Sequence, residues 1–206
     1  MKFIKLFVVL SFPLFLFSCR NEKVNLPYLG VHELKGNDTI YYTLPSFKFL
    51  DEDSITFSSE TLKKKPYIAY FFFTSCPSVC PRMTQSVKRL QRALENKIEN
   101  FNIIGISIDP ERDSPSKMKK FGDEYEVDFK NWHFLTGSEE KINDLGIKGF
   151  YVGISKSPDE PGGYLHSEKL ILVDKEGHLR GYYTGTDMND VKYLIKDLKQ
   201  LIDENE

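Results

Sequence analysis

The chain has 206 residues, 40% of them hydrophobic and 28% charged, with a formal net charge of −2. That length and composition suit one globular domain with a core of its own. The near-neutral balance excludes the basic face that nucleic acid requires, and the runs Lys63–Lys65 and Lys119–Lys120 read as solvated faces or strand-edge guards.

The first 18 residues read as a secretory signal. Lys2 and Lys5 precede the uncharged run Leu6–Phe17, which is shorter than the ~20 residues that cross a bilayer and is interrupted by Pro13. The end "LFSC" resembles a bacterial lipobox, with Leu16, Ser18 and then Cys19 as the residue to be lipidated. Removal of residues 1–18 leaves 26 basic and 30 acidic residues, net −4. The domain is therefore expected outside the cytoplasm, held to a membrane by a lipid anchor. Residues 19–42 show no clear periodicity and read as a flexible tether, and residues 43–206 read as the folded domain.

At its start "TIYYTLPSFKFLDEDSITFSSETL" alternates weakly around the turn "DEDS" and predicts a β-hairpin. "PYIAYFFF" is a continuous apolar run and predicts a buried central strand. A helix follows, with Val87, Leu90, Leu94 and Ile98 at helical spacing. "FNIIGISID" predicts a second buried strand, and "DSPSKMKKFGDEYEV" a helix capped by Ser114 with Pro115 at its first position. "WHFLTG" predicts a short strand and "SEEKINDLGI" a short helix capped by Ser138. After the loop "SKSPDEPGG", the stretch from Tyr164 to Gly185 predicts a hairpin turning at Lys175–Gly177. The last helix puts Val191, Leu194, Ile195, Leu198, Leu201 and Ile202 on one face. Strands alternating with helices imply a parallel core, and the last hairpin adds an antiparallel edge. This order fits an α/β, thioredoxin-like sandwich, a central mixed sheet flanked by helices with an N-terminal β-hairpin extension.

Its reactive position is occupied by "FFFTSCPSVCP". Cys76 and Cys80 lie about one helical turn apart at a strand-to-helix junction, so both sulfurs can face one way. A helix N-terminus favours thiolate. Pro77 and Pro81 fit there because first-turn N–H groups have no intrahelical acceptor. Three uses stay open on these residues alone. A structural disulfide across so small a loop would stabilise little. A redox pair would ordinarily be spaced C-x-x-C, one residue fewer than here. A metal site would suit a soft ion such as Cu(I) but asks for a third ligand. His32 lies in the tether, His133 inside a strand and His178 at a hairpin turn. His166 lies in "GGYLHSEKL", between a Gly/Pro-rich loop and a buried strand, and is the candidate ligand; imidazole suits copper in either oxidation state.

The combination of C-P-x-x-C-P, "DPERDSP" about thirty residues on, and His166-Ser167 before an apolar strand resembles the Sco/SenC family. The resemblance runs over about residues 45–200 and includes "PSFKFLDEDSITF", "WHFLTG" and "HSEKLILVDKEG". It implies a membrane-anchored, thioredoxin-like copper protein of cytochrome c oxidase maturation. Its copper would be held by Cys76, Cys80 and His166 as Cu(I), with further ligands demanded by Cu(II), and its partner would be the copper-bearing oxidase subunit or another copper chaperone. Asp109, Arg112 and Asp113 are assigned to loop architecture or partner contact. Leu165 departs from the family, in which many members carry an acidic residue before the histidine. The rival reading is a thiol–disulfide reductase, with Cys76 and Cys80 redox-active, acting on an oxidase subunit or another exported protein. A peroxiredoxin-type peroxidase fits less well, because Thr74 stands one place from where its threonine should be.

Overall fold

A computed structural model describes residues 25–165 and 167–204. Cys19 and His166 lie outside the described residues.

Two small hairpins come first: β1 (Glu33–Lys35) with β2 (Asp38–Ile40), and β3 (Lys48–Leu50) with β4 (Thr56–Ser58). The second turns where "DEDS" predicted it. The Asp51 carboxylate accepts the N–H groups of Asp53 and Ile55 at 3.0 and 2.8 Å, and Ser54 takes a left-handed φ of 64°. Side-chain bonds of this kind close a turn without help from the ladder.

The core sheet has the order β11 (Leu179–Thr184), β10 (Lys169–Val173), β5 (Tyr67–Phe72), β6 (Asn102–Ser107), β7 (Trp132–Leu135). β5 sits at its centre with all six residues buried. β6 and β7 continue it in parallel. β10 pairs antiparallel with β5, and β11 closes the edge antiparallel to β10. The mixed sheet is the one the element order implied. A central strand is covered on both faces, which is why "YIAYFF" carries no alternation.

Helices α1 (Val79–Ala93), α2 (Pro115–Glu124), α3 (Glu139–Asp144) and α4 (Met188–Asp203) pack on this sheet. Ser114 and Ser138 cap α2 and α3 as expected, each hydroxyl accepting an N–H three residues on at 3.4 Å. Phe71, Phe72 and Phe73 are all buried, against Phe121, Phe134, Phe150 and Tyr164. Each such ring contributes about 1.5–3 kcal/mol by leaving water.

The structure differs from the sequence reading in three places. The α-helix expected to reach Ile98 stops at Ala93 and continues as a 3-10 segment, Glu95–Asn100, because Leu94 and Phe101 must both be buried as the chain turns into β6. The expected first arm of the last hairpin is split: Tyr164–Leu165 form β9 and pair with β8 (Ser155–Lys156), while β10 starts only at Lys169.

The third concerns part of the expected tether, where residues 26–29 pack on the domain. Leu26 is buried, and Leu29 bridges to Leu179. Arg180 donates to the carbonyls of Leu26 (2.7 Å) and Pro27 (3.0 Å) and lies over the Tyr28 ring at 4.1 Å. The same guanidinium pairs with the buried Asp174 at 2.9 Å. Backbone carbonyls and an arginine hold this segment, so it shows no hydrophobic period. Among the described residues no helix is long and apolar enough to cross a membrane.

Candidate metal centre

β5 delivers the chain to the site. Past Phe72, Phe73 stays buried, and its carbonyl accepts the Cys76 N–H at 3.2 Å. The turn between is fixed by Asp113, a fully buried carboxylate. It accepts the Thr74 N–H at 2.9 Å, the Thr74 hydroxyl at 2.5 Å and the Ser107 hydroxyl at 2.7 Å, and Lys117 pairs with it at 3.4 Å. The "DPERDSP" loop therefore anchors the backbone two residues before Cys76. Of the two roles expected of Asp113, loop architecture or partner contact, these bonds serve the first. Because Thr74 spends its proton on Asp113, it cannot donate that proton to a peroxide.

Cys76 and Cys80 are both buried thiols, not joined to each other. Helix α1 starts at Val79, and Ser78 before it makes no side-chain cap bond. The Cys76 sulfur takes that part instead, accepting the Cys80 N–H at 3.4 Å. The cysteine loop is thus the N-terminal cap of α1.

The Cys80 thiol is pushed far above its ordinary value, first by its hydrogen bond with Cys76 and then by burial. This corrects the expectation that the helix N-terminus leaves Cys80 a thiolate. A helix end contributes only ~0.3–1 kcal/mol, less than taking a thiolate fully out of water costs. In the metal-free protein Cys80 keeps its proton. A bound cation would supply the missing charge and displace that proton.

The loop between β8 and β9 folds over the cysteine loop. Gly162 has φ +86°, and a Cβ there would stand 2.6 Å from the Phe73 ring and 3.5 Å from Pro77. Tyr164 packs its ring on Phe73 at 5.4 Å, and its hydroxyl donates to Asp109 at 3.2 Å. Arg112 joins the two, bonding the buried Asp109 carboxylate through Nε and the Gly162 carbonyl through Nη2 at 2.9 Å. Leu165, half-exposed, ends this segment.

The other histidines are engaged elsewhere. His133 lies 3.2 Å from Glu52, His178 bonds the Tyr42 carbonyl at 2.8 Å, and His32 bonds the Tyr28 carbonyl at 3.0 Å. Among the described residues no three His, Cys, Asp or Glu side chains gather as a metal site. What the structure brings together is the thiol pair and the loop that leads to His166. Thr74, Ser107, Gly162 and Tyr164 were missed as supports of the site. Apart from Ser107, six residues from Asp113, their partners lie far away in sequence, and only the "TSC" and "PGG" steps beside the motifs hinted at them.

Comparison with known proteins fits this geometry. The chain is similar to a SCO1/SenC family lipoprotein from Bacillus anthracis, at 31% identity and a TM-score of 0.72, over 78% of this chain and 95% of that one. It is similar to BsSco, described as a member of the Sco family of cytochrome c oxidase assembly proteins with a disulfide switch, at 34% identity and TM-score 0.69, over 79% and 94%. It is also similar to Bradyrhizobium japonicum ScoI, solved with copper bound, at 26% identity and TM-score 0.67, over 78% and 99%. The mixed sheet with its flanking helices is their thioredoxin-like fold. The SCO1/SenC family model matches residues 38–203, and the chain belongs to that family.

Proposed function

We propose that this protein binds copper between Cys76 and Cys80, with His166 as third ligand, and hands it on during maturation of the cytochrome c oxidase copper centre. The observation that carries this reading is the pair of buried, reduced, mutually hydrogen-bonded thiols, roofed by the segment that runs into His166. Two sulfurs are a soft donor set, and with one imidazole they suit trigonal Cu(I). Entry of the ion would release the Cys80 proton. The copper-bound ScoI relative and the oxidase-assembly description of BsSco support cargo and destination alike. Delivery would go by ligand exchange to the copper-bearing oxidase subunit, or to another copper chaperone, with no covalent step. Lipidation at Cys19 would hold the domain on the periplasmic or exterior face of a membrane, a reading supported by "LFSC" and by the B. anthracis lipoprotein.

The contact between the two thiols, together with the disulfide switch of BsSco, also favours a second reading. Cys76 and Cys80 would close to a disulfide while a partner disulfide takes up the two electrons and two protons they release. Titration of the reduced full-length chain with Cu(I) against a competing chelator separates the two. Copper carriage predicts one tightly held Cu(I), lost in Cys80→Ala, and Cu(II) binding that depends on His166. Wild type competing no better than Cys80→Ala would leave the reductase.

A further inference from the structure

Arg112 lies half-exposed at the rim of the site, and its contacts go beyond what loop architecture needs. Its Nε bonds Asp109, a carboxylate only 1% exposed on the strand β6 side. Its Nη2 reaches across 50 residues of sequence to the Gly162 carbonyl at 2.9 Å. Its guanidinium carbon stands 5.6 Å from the centre of the Tyr164 ring, whose hydroxyl bonds the same Asp109. Lys117 holds the Arg112 carbonyl at 3.1 Å, so the backbone of the clamp is fixed as well. Against this stands a loop with little hold of its own. Residues 157–163 are closed on themselves by one backbone bond from the Ser157 N–H to the Gly163 carbonyl at 2.9 Å, by short turns, Glu160 to Ser157 and Gly163 to Glu160, and by two glycines of positive φ. The pairing of β8 with β9 is only two residues long.

We propose that Arg112 is the positioning residue that clamps the loop leading to His166 onto the cysteine loop, and so sets how long an imidazole-dependent metal form persists. The inference rests on the copper reading above. A planar, always-charged fork presents its donors in fixed directions to a carboxylate and a carbonyl at once, whereas a lysine offers a single point-like ammonium without that pre-set geometry. Losing a charge-assisted hydrogen bond of this kind corresponds to about a tenfold change in an equilibrium or a release rate.

The test uses the full-length chain in detergent, as wild type, Arg112→Ala, Arg112→Lys and His166→Ala. Amide hydrogen exchange of the metal-free protein reads the clamp directly. The Ser157 and Gly163 amides should exchange about tenfold faster in Arg112→Ala, with Arg112→Lys between. Cu(II) electron paramagnetic resonance and the rate of Cu(II) loss to a chelator read its effect on the metal. Arg112→Ala should lose Cu(II) about tenfold faster, its spectrum moving toward that of His166→Ala, with partial recovery in Arg112→Lys. Arg112→Ala matching wild type in exchange and in Cu(II) loss, while His166→Ala differs, would overturn the clamp and leave the copper reading standing. If His166→Ala behaves as wild type, the ligand assignment fails instead. The clamp is then judged by exchange alone: faster loop exchange supports it, and unchanged exchange overturns it.

Discussion

Asp113 is the residue on which the local geometry turns. Three donors converge on one buried carboxylate, two of them from Thr74. Replacing it with alanine leaves those donors facing the core, and each buried unmet group costs about 1–3 kcal/mol. Asp113→Ala should therefore lose about 3 kcal/mol of stability, read as a lower urea midpoint, and weaken copper binding through the displaced cysteine loop. Cys80 makes a second prediction at this scale. Its folded-state pKa is raised above the ordinary thiol value of 9.0. The folded state therefore keeps a proton that the unfolded chain gives up as pH rises through 9.0. Stability is fully present below that pH and falls above it, by about 1.4 kcal/mol per unit. Urea unfolding of the metal-free protein at pH 8, 9 and 10 should show the fall, and Cys80→Ala should flatten it. A wild type as stable at pH 10 as at pH 8 would refute the assignment. Buried Tyr70 and Tyr67, also pushed upward, join the effect only above their own ordinary value of 10.0.

At the level of elements, the glycine pair in the roof loop makes a controlled comparison. Gly162 and Gly163 have almost the same positive φ, +86° and +87°. A Cβ at Gly163 meets nothing within 4 Å, whereas one at Gly162 strikes Phe73. Gly163→Ala should cost only the backbone strain, about 1 kcal/mol. Gly162→Ala should cost more, about 2 kcal/mol or above, because Phe73 is buried and cannot step aside. Denaturant midpoints of the two variants decide this, and equal midpoints would contradict the packing. Elements with a period or a cap of their own were legible in the sequence: β5 and β6 as apolar runs, α2 and α3 from their serine caps, the hairpin at Asp51 from its turn chemistry. The thiol pair was legible for the same reason, since a proline-flanked Cys-x-x-x-Cys at a strand end is a local signal. Whatever depends on one side chain meeting a distant backbone was not legible. Arg112 on Gly162, Asp113 on Thr74 and Arg180 on Leu26 leave no period behind. β8 and β9, two residues each, are too short to show alternation. The protonation of Cys80 was misread because the helix end is visible in sequence and the depth of burial is not.

Across the whole molecule, Arg180 does for the N-terminal segment what Arg112 does for the roof loop. It is 8% exposed, and Asp174 beside it is 5% exposed. Removing one member of a buried pair strands the other charge, at a cost of about 3–5 kcal/mol. Arg180→Ala should lose that much and also release residues 25–29, which limited proteolysis would reveal as new cleavage ahead of Leu29. Intact resistance in that variant would mean that Leu26 and the Leu29 bridge hold the segment without it.

That fastening has a geometric consequence. Val173 pairs with Tyr67, at the start of β5, and Arg180 lies beside it at the start of β11, whereas the thiols follow the far end of β5. Six residues of strand at about 3.3 Å each separate the two poles by roughly 20 Å. Cys19 stands six positions before Asn25, a reach of at most about 20 Å even fully extended. A lipid at Cys19 would thus moor the molecule by its base, as a buoy is moored, and the thiols would ride on top. On the proposed copper reading, the thiols would then face the water and not the headgroups.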